Sequence, residues 1–136
     1  MQRVSCLLVA LVVALPACES AEQVGQRAGV KYIAPFIGVA EARTEGCDKQ
    51  LELARHMRDH GKSEREELRR RVEKVKGDDA FQKGLKEFTD QASGSVILRF
   101  AADCPTQAKE VASIAQQIAE ELAIADVVPA WPPSGA

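Results

Sequence analysis

The chain has 136 residues, with 18 basic against 20 acidic side chains and a net charge of −2. That length allows one small domain and no second core, and the acidic balance excludes a general nucleic-acid binder, which needs a basic excess to neutralise phosphates. Aromatic residues make up only 4% of the chain, and alanine and valine carry much of the apolar content, which argues for a closely packed helical core rather than a sheet of aromatic and β-branched strands.

Residues 1–17 read as an address. Arg3 supplies one positive charge and Val4 to Leu15 is apolar apart from Ser5. The run is about a dozen residues, short of the roughly twenty that span a bilayer, and small residues follow it, as in a secretory signal peptide. Its ending, Leu15-Pro16-Ala17-Cys18, resembles the lipobox of bacterial lipoproteins, with Leu three positions before the cysteine and a small residue just before it. The resemblance covers the leader alone. It implies cleavage after Ala17, diacylation of Cys18 and membrane attachment through acyl chains rather than a transmembrane helix. Glu19 follows in place of the Asp usual in inner-membrane retention, which implies the outer membrane. The competing reading is cleavage after Ser20, giving a soluble periplasmic or secreted protein. Removing residues 1–17 leaves 119, with 17 basic and 20 acidic side chains and a net charge of −3.

Cys6 departs with the leader and Cys18 is the acylation site, so Cys47 and Cys104 remain. In an oxidising envelope, two such cysteines are most simply a disulfide. Two separate buried thiols are the other reading. No C-x-x-C spacing points to a redox or metal site.

The first mature helix begins near Ser20, where Ser20-Ala21-Glu22-Gln23 fits a capping box. Val24, Ala28, Tyr32, Phe36 and Ala40 recur every four residues, with Ile33 and Ile37 widening the stripe. Pro35 lies inside it, and a kink or break is expected there. The pattern resumes through Cys47, Leu51 and Ala54 to Gly61, a natural left-handed cap, with Gly46 a second candidate break. Ser63-Glu64-Arg65-Glu66 is a second capping box. It opens a helix with a narrow stripe at Leu68, Val72 and Val75 and charge on its other faces, which ends at Gly77-Asp78-Asp79. The next stripe is Phe81, Leu85, Phe88, Ala92, Val96 and Phe100, with a weak point at Ser93-Gly94-Ser95. Its second half, through Val96, Ile97, Leu98 and Phe100, is expected to be the most buried part of the molecule. Pro105 ends it, and Asp103 or Thr106 caps a last helix carrying Ala108, Val111, Ala115, Ile118, Leu122 and Ala125. Small Ala112, Ala115 and Ala119 allow a neighbour to come close. The tail, residues 127–136, is Pro-rich and holds Trp131, the single tryptophan.

Few residues suggest chemistry. Glu52, His56 and His60 recur every four residues on one helix face, the spacing at which two histidines can share a metal ion. The H-E-x-x-H form is absent, and histidines near a helix end are more often solvated and favoured by the dipole. Ser93-Gly94-Ser95 lacks a strand-to-helix nucleophile context. The run Arg69-Arg70-Arg71 with Lys74 and Lys76 is interleaved with acids and reads as a solvated face. Trp131 either covers the open edge of the domain or serves as a ligand for a partner.

The expectation is therefore an all-α protein: a signal peptide over 1–17, a bundle of about four helices over 18–126 with a kink near Pro35 and one disulfide, and a Pro-rich tail over 127–136. Its architecture is similar to that of secretin pilotins and periplasmic acid-stress chaperones, and no functional position carries over from either. The expected role is a non-catalytic binding or structural module, held at the membrane by its lipid and partnered by another envelope protein, with no cofactor. The alternative is a periplasmic metal-binding or metal-sensing protein using His56 and His60.

Overall fold

The computed structural model describes residues 19–90 and 95–128. Among these, α1 spans Ala21–Glu41, α2 Cys47–His60, α3 Lys62–Val75, α4 Asp79–Thr89, α5 Ser95–Asp103 and α6 Pro105–Glu121. No strand occurs among the described residues, and the all-α expectation holds.

The Ser20 capping box forms as predicted: the Gln23 amide donates to Ser20 Oγ at 3.2 Å and the Ser20 amide to Gln23 Oε1 at 2.9 Å. From there α1 runs 21 residues with Pro35 inside it, so no break occurs at Pro35. Losing a turn's hydrogen bond at an internal proline costs about 3 kcal/mol. Tyr32, Ile33 and Phe36, all buried around it, contribute about 1.5–3 kcal/mol each, and burial wins. The break falls instead at Gly46, whose φ of 100° is the left-handed conformation that glycine adopts without strain.

Gly61, expected to be left-handed, has φ −97° and ψ 1°. The ladder continues across it, from Gly61 N–H to the Met57 carbonyl at 3.2 Å and from Arg65 N–H to the Gly61 carbonyl at 3.0 Å. Ser63 therefore lies within α3 and caps nothing. Nor do Asp103 and Thr106 cap the last helix: Cys104 holds the N-cap position and Pro105 the first turn, where its missing N–H was never needed. That helix stops at Glu121, short of Ala125. Ala123 takes φ 60°, with Ala123 N–H on the Glu120 carbonyl and Ile124 N–H on the Ala119 carbonyl at 3.1 and 2.9 Å. This is a Schellman closure, locked by burial of Ile124.

Side-chain ties give the topology. Gln50 bonds Val39, Glu64 pairs with Lys31, and Arg71 pairs with Glu19, so α2 and α3 run back along α1. Cys104 meets Cys47, Glu110 meets Arg55 and Glu121 meets Arg65, so α6 runs parallel to α2 and α3. The bundle is up–down–up–down, and α1 lies at its centre, touching all five other helices. Buried residues of α1 and α6, with Leu68, Val72, Phe81, Leu85 and Phe100, form one core. In the second half of the third stripe Phe100 is buried and Leu98 is exposed, while the side chains of Val96 and Ile97 lie outside the described residues; Ile37 on α1 is exposed too.

The most extensive contact joins α1 to α4, and it is parallel. A Cβ on Gly25 would lie 2.9 Å from the Leu85 amide nitrogen, one on Gly29 3.0 Å from the Leu85 carbonyl, and one on Gly84 3.0 Å from the Gln26 amide nitrogen and closer still to the Glu22 carbonyl. Two backbones touch here. Mid-helix Gly→Ala ordinarily gains up to about 1 kcal/mol; Gly84→Ala should instead lose about 1–3 kcal/mol through overpacking. Gly77→Ala, with nothing within 4 Å, should be neutral or stabilising. Urea unfolding followed by circular dichroism measures both, and a stabilised Gly84→Ala protein would refute the close approach.

Candidate functional site

The two turns at one end of the bundle, between α1 and α2 and between α5 and α6, bring the cysteines together. Cys47 and Cys104 form a disulfide with S–S 2.02 Å and Cα atoms 5.6 Å apart, as expected. Beside it lies a cleft of about 330 Å³. Ala40 and Phe100 give it apolar wall, Gly46 and the disulfide close one side, and Arg43, Arg99 and Asp103 bring charge. Neither guanidinium forms an ion pair or hydrogen bond among the described residues.

Gln50 also lines the cleft, although its side chain is only 4% exposed. Its Nε2 donates to the Val39 carbonyl at 2.7 Å, which fixes the amide's orientation. Its Oε1 lies 3.7 Å from Cys104 Sγ, and a disulfide sulfur has no hydrogen to donate. Among the described residues this buried acceptor therefore has no donor, and leaving a buried polar atom unpaired costs about 1–3 kcal/mol. The first turn of α2 borders the same space, and Gly46 supplies no side-chain cap.

The histidines lie on the exposed side of α2. His56 and His60 stack with ring centroids 3.8 Å apart and planes at 33°. His60 Nδ1 is 3.0 Å from the His56 carbonyl oxygen, which can only accept, so Nδ1 carries the proton. Glu52 pairs with Lys49 at 3.3 Å. Asp59 binds Arg58, and that hydrogen bond, with the nearby positive charge, holds its carboxyl below the usual range. No three His, Cys, Asp or Glu side chains among the described residues are placed to hold a metal ion; the fold brings the two rings together and leaves Glu52 with another partner.

The opposite end is held by charge. Glu19 accepts from Arg27 and, at 2.6 Å, from Arg71. The basic run expected to be a solvated face is largely tied down: Arg69 to Glu73 and the Glu120 carbonyl, Arg71 to Glu19 and Glu67, Lys76 to Asp126. Arg65, missed in the sequence, is 3% exposed. Its Nε donates to Glu121 at 2.6 Å and its Nη2 to the Arg58 carbonyl, joining α3 to α6 and to the end of α2. The signal was available, since Arg65 continues the Leu68–Val72–Val75 stripe backwards. Cys18 and Trp131 lie outside the described residues.

Two outcomes follow from these charges. Arg65→Ala should cost about 3–5 kcal/mol by stranding Glu121, while Arg65→Met with Glu121→Leu should recover most of it; urea unfolding decides, and a loss under 1 kcal/mol from Arg65→Ala would contradict the burial. Hydrogen bonds from Lys31, Arg55 and Lys76 hold the carboxyls of Glu64, Glu110 and Asp126 below their ordinary values. Depressed folded-state values mean stability that is present above the unfolded carboxylate range, about 4, and lost as pH falls through the lower folded values. Melting temperature should therefore drop as pH falls below about 4.5, and less steeply in the Glu64→Gln/Glu110→Gln variant.

No described helix is long and apolar enough to cross a membrane. Comparison with protein-family models, with curated proteins and with solved structures finds no match to this chain.

Proposed function

We propose that the chain is a lipid-anchored protein of the bacterial cell envelope, acylated on Cys18, which acts as a non-catalytic module that binds another envelope component. Glu19 carries the reading. Cleavage after Ala17 keeps Glu19 and Ser20, and with them the two ion pairs to Arg27 and Arg71 and the cap of α1. Cleavage after Ser20 would strip all of these from the folded domain. An N-terminal cap contributes about 0.5–2 kcal/mol, which supports a mature chain that retains Glu19 and Ser20. Acyl chains on the preceding residue supply membrane affinity at about 0.8 kcal/mol per buried methylene.

Binding rather than catalysis is supported by the cleft at the disulfide end. Two guanidiniums and a buried amide recognise anions and hydrogen-bond donors, and no serine, histidine or free thiol lines it among the described residues.

The intact mass of the protein isolated from membranes tests the anchor. The expected species begins at Cys18, carries a diacylglycerol with or without a further acyl chain, and is two hydrogen atoms lighter for the Cys47–Cys104 bond. Cys18→Ser should move it from the membrane to the soluble fraction. An unacylated chain beginning at Ala21 would sink the proposal.

A further inference from the structure

We infer that the cleft beside the Cys47–Cys104 disulfide binds the carboxy-terminal residue of a peptide. The inference rests on the reading of the chain as a binding module and names what that module holds; it does not depend on the lipid.

Charge gives the first half of the ligand. Arg43 and Arg99 face the cleft with no partner among the described residues, and Asp103 offsets one of the two charges, leaving a net positive lining. An unpaired guanidinium fork suits a carboxylate. The α2 N-terminus adds amide groups and the positive end of the helix dipole.

Gln50 gives the second half. An anion alone would meet Oε1 unfavourably, because Oε1 is an acceptor and Nε2 is already turned to Val39. The ligand must therefore carry an N–H or O–H donor near its negative charge. A carboxy-terminal residue has that pair, a carboxylate and the amide N–H on the same α-carbon. Inorganic phosphate near neutral pH also carries a P–OH donor beside its charge but has no apolar group to set against Ala40 and Phe100, so it serves as the competing ligand in the test. Capture of a peptide carboxylate by backbone amides and fixed cations is a known mode of recognition. The volume, about 330 Å³, is at the small end of ligand sites and suits one or two residues. Ala40 and Phe100 make its wall apolar, which favours a small apolar terminal side chain.

Calorimetric titration of the mature protein with N-acetyl-Ala-Ala-Ala tests this, against its carboxy-terminal amide and against inorganic phosphate. The free acid should bind saturably. Amidation, or the Arg43→Gln/Arg99→Gln substitution, should weaken binding by about tenfold or more. Arg70→Gln/Lys74→Gln removes the same charge far from the cleft and should leave binding within about twofold. Equal binding of acid and amide, equal loss in both charge variants, phosphate binding as tightly as the tripeptide, or no saturable binding of the free acid would each overturn the inference. A pull-down from envelope extract separates it from the wider reading. A partner retained equally by wild type and Arg43→Gln/Arg99→Gln overturns the cleft as docking point and leaves the module reading standing. No partner retained by wild type counts against the module reading, while the titration still decides the cleft.

Discussion

Helices normally stand 8–10 Å apart because side chains hold them there. Where Gly25 and Gly29 of α1 meet Gly84 of α4, that spacer is gone and backbone atoms of the two helices touch. The contact fixes axial register, since a shift of one residue in either helix would drive a side chain into a carbonyl. With register set between two parallel helices, the remaining faces of α1 are available to α2, α3 and α6 at defined heights. The core then needs little aromatic volume: alanine, valine, isoleucine and leucine fill what is left. A chain poor in aromatic residues can close a core because its helices come close, and glycine supplies the closeness.

Polar ties perform a different task. Arg65 reaches α6 and the end of α2 from within the bundle, and Gln50 satisfies the Val39 carbonyl near the end of α1. Such buried groups add little net stability against apolar replacements. Their requirement for particular partners makes alternative packings expensive, and in a bundle of similar alanine-rich faces that discriminates among registers. The disulfide acts at the end where Arg65 does not reach, tying the start of α2 to the start of α6.

Features with a local chemical cause were legible in the sequence. The Ser20 box, the stripes through Tyr32 and Phe36 and through Val111 and Ile118, the all-α class and the Cys47–Cys104 pair all follow from short-range pattern or from elimination. Features that depend on a distant partner were not. Gly25 and Gly29 are two glycines four apart inside a helical stripe, but their meaning needs Gly84. Gly61 and Gly46 are chemically identical; a hydrogen bond from its N–H to the Met57 carbonyl keeps Gly61 in the helical ladder, whereas Gly46 takes a positive φ. Ala123 adopts the conformation expected of glycine because burial of Ile124 compels it. The cleft joins Arg43 to Arg99 from opposite ends of the chain's middle, so no local motif marks it. Leu98 and Ile37 show the converse error, apolar residues within a stripe that are exposed because periodicity alone does not say how far round the helix its described neighbours reach.

The ion pairs of Glu19 have a mechanical meaning. Most tethered domains hang from a flexible leash and sample a broad volume above their membrane. Here the residue after Cys18 is already clamped to α1 and α3, and α1 begins two residues later. A lipid on Cys18 would give the domain no slack. At 1.5 Å per residue, α1 is a rod of about 30 Å, with the disulfide end at its far tip. Thermal tilting about a single pivot would then be the chief motion left, so the cleft would sweep a thin shell at a nearly constant height above the bilayer.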